Sequence, residues 1–360
     1  MNRATKIKLI VIVLSFLQLT VQAQDKGTRV DKYTLLTMPF NLRQLTLYRG
    51  QIQFNAGYRF SVRSQSFSNE GDRVLLKSNG TGSVYHFYFA DLRYGVTDFI
   101  EIGASTDFIR MGVREQSLTI TSVTTLSTDR VSVNKLTEVK GFGDILLKAT
   151  IRSPFRYRKF DISATGGIYL PSSPYEPEKP QNTVTSIVSA DSYTVNYHYK
   201  YTNGYGVPVW LIAGQLKMKL GRFTTLGGLE FRTPLKEGTN IRWEENLVNK
   251  IFTYYDKTYS YLLSNSWDVD ASIHYQPTGW FDFYINSTFR KTTGGWTEYW
   301  GTKYRNKGTS LFSIEPGFEL QISPSLIISQ VAGFPLSGKN TDAPFFLFTT
   351  VRYSIFPFRK

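Results

Sequence analysis

The sequence predicts an all-β fold: a transmembrane antiparallel up-and-down β-barrel of about twelve strands. Three observations carry this. Apolar and polar residues alternate with period two along many successive segments, as they do in a strand with two different faces. The polar face of those segments is too charged for a sandwich core. The connections also alternate strictly between long and short, the pattern of barrels with long loops at one membrane face and tight turns at the other. Each segment has the roughly 9–11 residues that a tilted strand needs to cross a bilayer. Closure removes the unpaired edges that lipid could not satisfy.

Residues 1–23 read as a secretory leader. Arg3, Lys6 and Lys8 form a basic start, Leu9 to Val21 an apolar run, and Val21-Gln22-Ala23 supplies small residues where a signal peptidase reads. Such a run is too short to span a bilayer and fits a cleaved signal, with cleavage expected near Ala23. No later stretch approaches the roughly 20 apolar residues of a spanning helix, so any crossing must use strands. The chain has no cysteine, which excludes a lipid-modified terminus, disulfides and thiolate metal sites. Residues 24–49, broken at Met38-Pro39-Phe40, read as a periplasmic lead-in, and 50–360 as the barrel.

The first strand is expected at about 50–63, with Ile52, Phe54, Ala56 and Tyr58 on one face and Gln53, Asn55 and Arg59 on the other. A polar loop leads to strands at about 83–96 and 100–110. In this hairpin Val96 should pair with Ile100, Tyr94 with Ile102 and Leu92 with Ala104, leaving a three-residue turn. After a Thr/Ser/Val-rich excursion (111–138), expected to extend the hairpin beyond the membrane, the fourth strand spans about 141–153 and the fifth about 160–171. A proline-bearing loop runs to 204. Strands at about 207–220 and 223–235 then join through Gly221-Arg222, whose leading glycine indicates a type II′ turn. Another polar loop, 236–264, precedes strands at about 265–277 and 281–293. The last three strands fall near 309–322, 326–337, where alternation is weak, and 345–356.

The formal net charge is +14, and removing Arg3, Lys6 and Lys8 with the leader leaves +11. Little of it belongs inside the barrel. The expected inward charges include Arg59, Arg93, Glu101, Asp107, Asp144, Lys148, Glu230, Arg232, Asp268, Asp270, Asp282, Glu315 and Glu319, with His274 among them. With Arg63, Arg152, Lys217, Lys219, Arg290 and Arg352 against Asp91 and Asp161, the lumen comes out nearly neutral. Paired charges across neighbouring strands are therefore expected, rather than a pore lined for anions. The basic excess falls on loops, turns and termini, including Arg156, Arg158, Lys159, Arg222, Arg359 and Lys360. Plentiful aromatics, 23 Tyr, 26 Phe and 6 Trp, suit both strand propensity and interfacial girdles.

The run GFGDILLKATIRSP, beginning at Gly141, and the strand end GGIYLPSS, beginning at Gly166, carry a family resemblance. They resemble the Gly-x-Gly-Asp strand and the Leu-Pro strand end of the outer-membrane barrels named after meta-pathway phenol degradation. LRYGVTDFIEIGAS resembles the preceding hairpin of that family, and 311–356 its C-terminal strands more loosely. Ser172-Ser173 departs from the family's Thr-Gly, and the chain ends Phe356-Pro-Phe-Arg-Lys rather than on an aromatic residue. The resemblance implies a passive channel for aromatic or other hydrophobic small molecules, with no catalytic residues.

Enzyme readings are weak in the sequence. Gly141-Phe142-Gly143-Asp144 is no phosphate loop, because neither Gly-Lys-Ser/Thr nor a helix follows. The histidines are His86, His198 and His274, too dispersed for a metal site. Outer-membrane phospholipase A also has twelve strands and needs a serine deprotonated by an oriented histidine. None of the three histidines lies in its motif, and His274 is expected inward beside Asp270. The sequence therefore leads to an outer-membrane diffusion channel for small solutes in a Gram-negative bacterium, with a closed, loop-displaying barrel as the alternative and a lipid hydrolase as the weaker one. Outer-membrane lipid and lipopolysaccharide, solutes and the barrel-assembly machinery are the expected partners. No cofactor, metal or nucleic acid is expected.

Overall fold

In the computed structural model, residues 45–75, 83–111, 114–123, 128–154, 160–172, 181–189, 192–201, 204–248, 251–299 and 301–355 are described. Twelve antiparallel strands close on themselves. They are β1 (Ile52–Arg63), β2 (Ser83–Gly95), β3 (Ile100–Met111), β4 (Ile145–Arg152), β5 (Phe160–Leu170) and β6 (Val209–Leu220). The other half comprises β7 (Phe223–Pro234), β8 (Asn265–Tyr275), β9 (Phe281–Thr293), β10 (Thr309–Ser323), β11 (Leu326–Lys339) and β12 (Phe345–Ile355). Each strand pairs with its sequence neighbour. β12 closes the ring on β1, from Ile52 opposite Ile355 to Val62 opposite Phe345. No helix among the described residues is long and apolar enough to cross a membrane.

The hairpin registers follow from side-chain parity. Leu92 lies opposite Ala104 and Tyr94 opposite Ile102, while the Val96 amide donates to the Ile100 carbonyl at 2.9 Å. Leu220 faces Phe223 across Gly221-Arg222. Gly221 has φ +66° and Arg222 no positive φ, the combination a type II′ turn requires.

Two expectations need correcting. The fourth strand is not continuous over 141–153. A strand from Thr128 to Phe142 enters along β3, placing Phe142 opposite Phe108, and β4 resumes with Leu146 opposite Ser105. Three residues there face two on β3, a β-bulge at Gly143-Asp144. The long connections after β5 and β7 are also not plain loops. They contain the strand pairs Gln181–Ser189 with Ser192–Tyr201 and Gly238–Val248 with Ile251–Leu262. Polar β-branched and aromatic residues suffice for such hairpins outside a membrane, where no apolar stripe marks them.

Exposed apolar side chains form the outward face: Phe54, Leu92, Ile102, Leu147, Ile162, Ile212, Leu229, Val269, Ile285 and Val351 among them. Exposed aromatics bound this band at both ends. Tyr58, Tyr88, Phe142, Trp210, Trp267 and Phe289 lie toward the long connections. Tyr94, Phe223, Tyr275, Trp280 and Tyr353 lie toward the short turns. An apolar band between two aromatic girdles is the outer surface of a membrane barrel. The opposite faces bury Asn55, Asp91, Glu101, Lys217, Ser272 and Glu319, so the polar interior is the barrel lumen.

Candidate functional site

The residues expected in the lumen alternate with the exposed apolar side chains along their strands; Glu101, His274, Asp282 and Glu319 are buried there, and Asp144 lies in the bulge at the head of β4. They are not one site but several groups stacked along the lumen. In the half nearer the short turns, Asp91 is the hub and only 3% exposed. Its carboxylate meets Arg93 Nε at 2.6 Å and Lys148 Nζ at 2.7 Å, and accepts from Asn55 Nδ2 at 2.8 Å. Arg93 also reaches Glu101 at 3.7 Å. Lys148 stands on β4 and Asp91 on β2, so this pair bridges over β3. Gly103 lies between them, opposite both Arg93 and Lys148. A Cβ there would come within 3.1 Å of Lys148 Cε, so the missing side chain leaves the lysine its path.

Toward the long connections, Arg232 pairs with Glu230 and, at 3.2 Å, with Asp268, which also holds Arg290 at 2.7 Å. Arg232 lies over the Tyr169 ring at 5.7 Å. Glu315 accepts from Asn286 and Thr288 at 3.0 and 2.9 Å, while nearer the short turns Glu319 pairs with Arg352 at 3.4 Å. Asp270 packs against Gly228. The Asp107 carbonyl accepts from the Gly143 amide at 2.7 Å. Asp144 takes the Tyr205 and Ser172 amides at 2.9 and 3.3 Å. The Gly-x-Gly-Asp stretch thus ties the connection after β5 to the barrel rim at both of its ends.

His274 does not sit with Asp270 in a pair. Its Nδ1 is 2.6 Å from Asp282 Oδ2 and its Nε2 3.1 Å from Ser272 Oγ. Serine, histidine and aspartate in that connection resemble a hydrolytic triad. β8, however, lies between β7 and β9, with Ser272 opposite Leu226 on one side and Asn286 on the other. The neighbouring strand amides are therefore engaged in ladders, whereas acyl transfer needs free donors aimed at an oxyanion. Tyr284 stacks on the imidazole with centroids 4.8 Å apart. The group is a buried polar brace. Among the described residues, no set of three or more acids and histidines is arranged for a metal ion.

Two features of the lumen were not found by counting charges. On three adjacent strands, β2, β1 and β12, the inward face carries Phe87, Phe89, Phe346 and Phe348. The Phe89 and Phe348 rings meet at 5.7 Å over Gly57, where a Cβ would fall 2.3 Å from Phe89. Arg59 lies between the Phe87 and Phe346 rings, at 4.7 and 5.4 Å. Parity held the signal, since Phe87 and Phe89 alternate with outward Tyr88 in phase with Asp91 and Arg93. The second feature is the end of the lead-in. Leu45 and Leu47 donate their amides to Asp161 and Glu101 at 2.7 and 2.9 Å, and Arg49 donates its amide to Asp98 at 3.0 Å. Leu47 is 7% exposed. Between this segment and the walls lies a cavity of about 270 Å³ bordered by Gln51, Arg93, Lys217, Ile327 and Arg352. No alternation marks residues 45–49, so nothing in the sequence announces their seat.

No protein-family model matches the chain, and no curated protein matches its sequence. Solved structures do match in shape. An outer membrane channel from Pseudomonas putida F1 aligns with a TM-score of 0.57 at 12% identity, covering 86% of this chain and 97% of that one. The Pseudomonas putida toluene transporter TodX aligns at 0.42 and 12% identity, over 90% and 92%. The translocator domain of the autotransporter NalP from Neisseria meningitidis aligns at 0.44 and 7% identity, over 97% of each chain. Of these three scores only the first is high enough to establish a shared fold. This chain has the barrel fold of that Pseudomonas outer membrane channel.

Proposed function

We propose that the protein is a passive outer-membrane channel for small solutes with an apolar or aromatic body. The leader, residues 1–23, directs export and is cleaved near Ala23. Residues 24–49 form a lead-in on the periplasmic side, and the barrel from residue 50 is inserted by the barrel-assembly machinery. The observation that carries this reading is the aromatic window of Phe87, Phe89, Phe346 and Phe348 in a lumen otherwise lined by charges that are ion-paired or hydrogen-bonded. Paired charges offer a solute no net field. Phenyl faces offer weak, non-directional contact, and a conduit needs binding weak enough to release. The fold shared with the Pseudomonas channel and the resemblance to the meta-pathway barrels support the same conclusion.

The test is uptake by proteoliposomes loaded with a fluorescent reporter of small aromatics. Wild-type protein should admit a monocyclic aromatic faster than a sugar of equal size. Phe89→Trp should slow the aromatic by filling the window, and Phe89→Ala should erode the preference. Equal rates for both solutes in all three proteins would sink the reading. The seated lead-in favours a second one, a barrel closed in its resting state that serves through its long hairpins. It predicts no uptake from wild-type protein in either direction of insertion.

A further inference from the structure

The outward face of β1, β2, β3 and the strand entering β4 carries two side-by-side rows. In the first, Tyr58, Tyr88, Phe108 and Phe142 lie opposite one another across four strands. Their successive ring centroids are 5.1, 6.2 and 5.2 Å apart. Two residues further toward the long connections the next row reads Phe60, His86, Arg110 and Lys140, again in direct register. Arg110 and Lys140 are exposed. Among the described residues neither has an ion-pair partner, whereas Arg93, Lys148, Arg232 and Arg352 in the lumen are all paired. His86 is fixed by the Tyr58 hydroxyl at 2.8 Å from Nδ1, which leaves Nε2 available.

Like charges placed directly opposite across a ladder destabilise it unless something neutralises them. An anion on the membrane side can supply that neutralising charge, because these side chains point away from the lumen. Height fixes which part of the membrane. From Val96, just past the end of β2, back to His86 is ten residues, about 33 Å at roughly 3.3 Å per residue. A tilt of about 40° reduces that to about 25 Å, the height of the apolar band of such barrels. The row therefore lies at the level of lipid headgroups, with acyl chains against the aromatic row below. Neighbouring strands are about 4.8 Å apart, so His86 and Lys140 straddle Arg110 within about 10 Å. Their long side chains can converge on one or two phosphates, and cations that contact lipid phosphate in this way give headgroup selectivity.

We propose that His86, Arg110 and Lys140 form a binding site for the phosphates of a phosphorylated glycolipid of the outer leaflet. The proposal rests on the reading above that the barrel spans an outer membrane with its long hairpins outside. The test is native mass spectrometry of the folded mature protein in detergent, titrated with diphosphorylated lipid A, its monophosphoryl form and a phosphate-free glycolipid of matched acyl content. The diphosphorylated form should bind best and the phosphate-free one at least tenfold more weakly. R110Q/K140Q should lose roughly thirty-fold in affinity for the diphosphorylated form, about fivefold per cation. H86Q should lose less, and R305Q, at a cation outside the row, nothing. Both substituted residues are exposed, so folding should survive, which a heat-dependent gel shift checks. Equal binding of the phosphate-free lipid, or unchanged binding by folded R110Q/K140Q, would overturn the proposal. So would saturation of the site by inorganic phosphate at the same concentration as lipid, which would make it a free-anion site. Failure of the wild-type barrel to insert into phospholipid vesicles would remove the membrane reading as well. Insertion without phosphate-dependent binding would remove the lipid site alone.

Discussion

Asp91 is where the lumen is easiest to break. It holds Arg93, Lys148 and Asn55 at 2.6, 2.7 and 2.8 Å with 3% of its side chain exposed. Asp91→Ala removes all three contacts and leaves the Lys148 ammonium without its acid. Breaking one partner out of a buried ion pair costs about 3–5 kcal/mol. The lower end applies here for two reasons. Lys148 and Arg93 retain 17% and 32% exposure, and Arg93 keeps Glu101 at 3.7 Å. The expected loss is about 3 kcal/mol. The assay is guanidinium-driven unfolding from phospholipid vesicles, followed by tryptophan fluorescence. Lys148→Met in the Asp91→Ala background should restore part of the loss, since it removes the stranded charge. A coupling of about 1–2 kcal/mol is expected for residues in one network. Strict additivity of the two substitutions, or a cost for Asp91→Ala below about 1 kcal/mol, would show that lumen water solvates these charges and that the hub holds nothing together.

Three further outcomes follow from the same architecture. Ile102→Arg and Leu147→Arg, on the outward apolar band, should each cost about 2–4 kcal/mol in the vesicle assay, and arginine at inward Ser105 or Thr150 much less; equal costs at both sets would contradict the face assignment. Cysteines at Glu70 and Arg305 should react with an impermeant maleimide on intact cells, with no native thiol as background, while labelling at Asp98, Gly221 or Gly279 instead would invert the topology. Any open pore should show little anion preference at 1 M salt, where the Debye length is about 3 Å; strong anion selectivity under those conditions would mean that the inward cations are not paired.

The strands were legible because one constraint, apolar toward lipid and polar toward the lumen, repeats at every second residue. The register of β2 on β3 follows from it without further information. Legibility fails where the constraint lapses. The Gly143-Asp144 bulge adds one residue to a pattern that still looks continuous, because Ile145 and Leu147 resume the outward face. In β11, whose alternation is weak, the ladder shifts register beside Pro335, which has no amide to donate. The hairpins beyond the membrane and the seat of residues 45–49 answer to no period. Parity sets which charges share a strand face, yet partner choice depends on side-chain reach across intervening strands. His274 is expected beside Asp270, but the β8–β9 register sets it opposite Tyr284 and leaves Asp282, two residues along β9, 2.6 Å from its Nδ1.

The lumen joins two opposite kinds of surface, and their order along the barrel accounts for both. Below Gly57 the wall is a set of braces: Asp91 ties β2 to β1 and β4, and Glu101 and Asp161 hold the lead-in. Each brace satisfies a group that would otherwise be stranded away from bulk water, where an unpaired charge is costly. At Gly57 the demand changes. Missing side chains let Phe89 and Phe348 meet, and Arg59 is held by the faces of two rings rather than by a carboxylate. Substituting an acid for either ring would give Arg59 a stronger partner and the lumen a stronger grip on polar solutes. The sequence places phenylalanine there instead. That choice weakens the hold on anything polar, and under the channel reading proposed above it leaves apolar contact as the attraction a passing solute would meet.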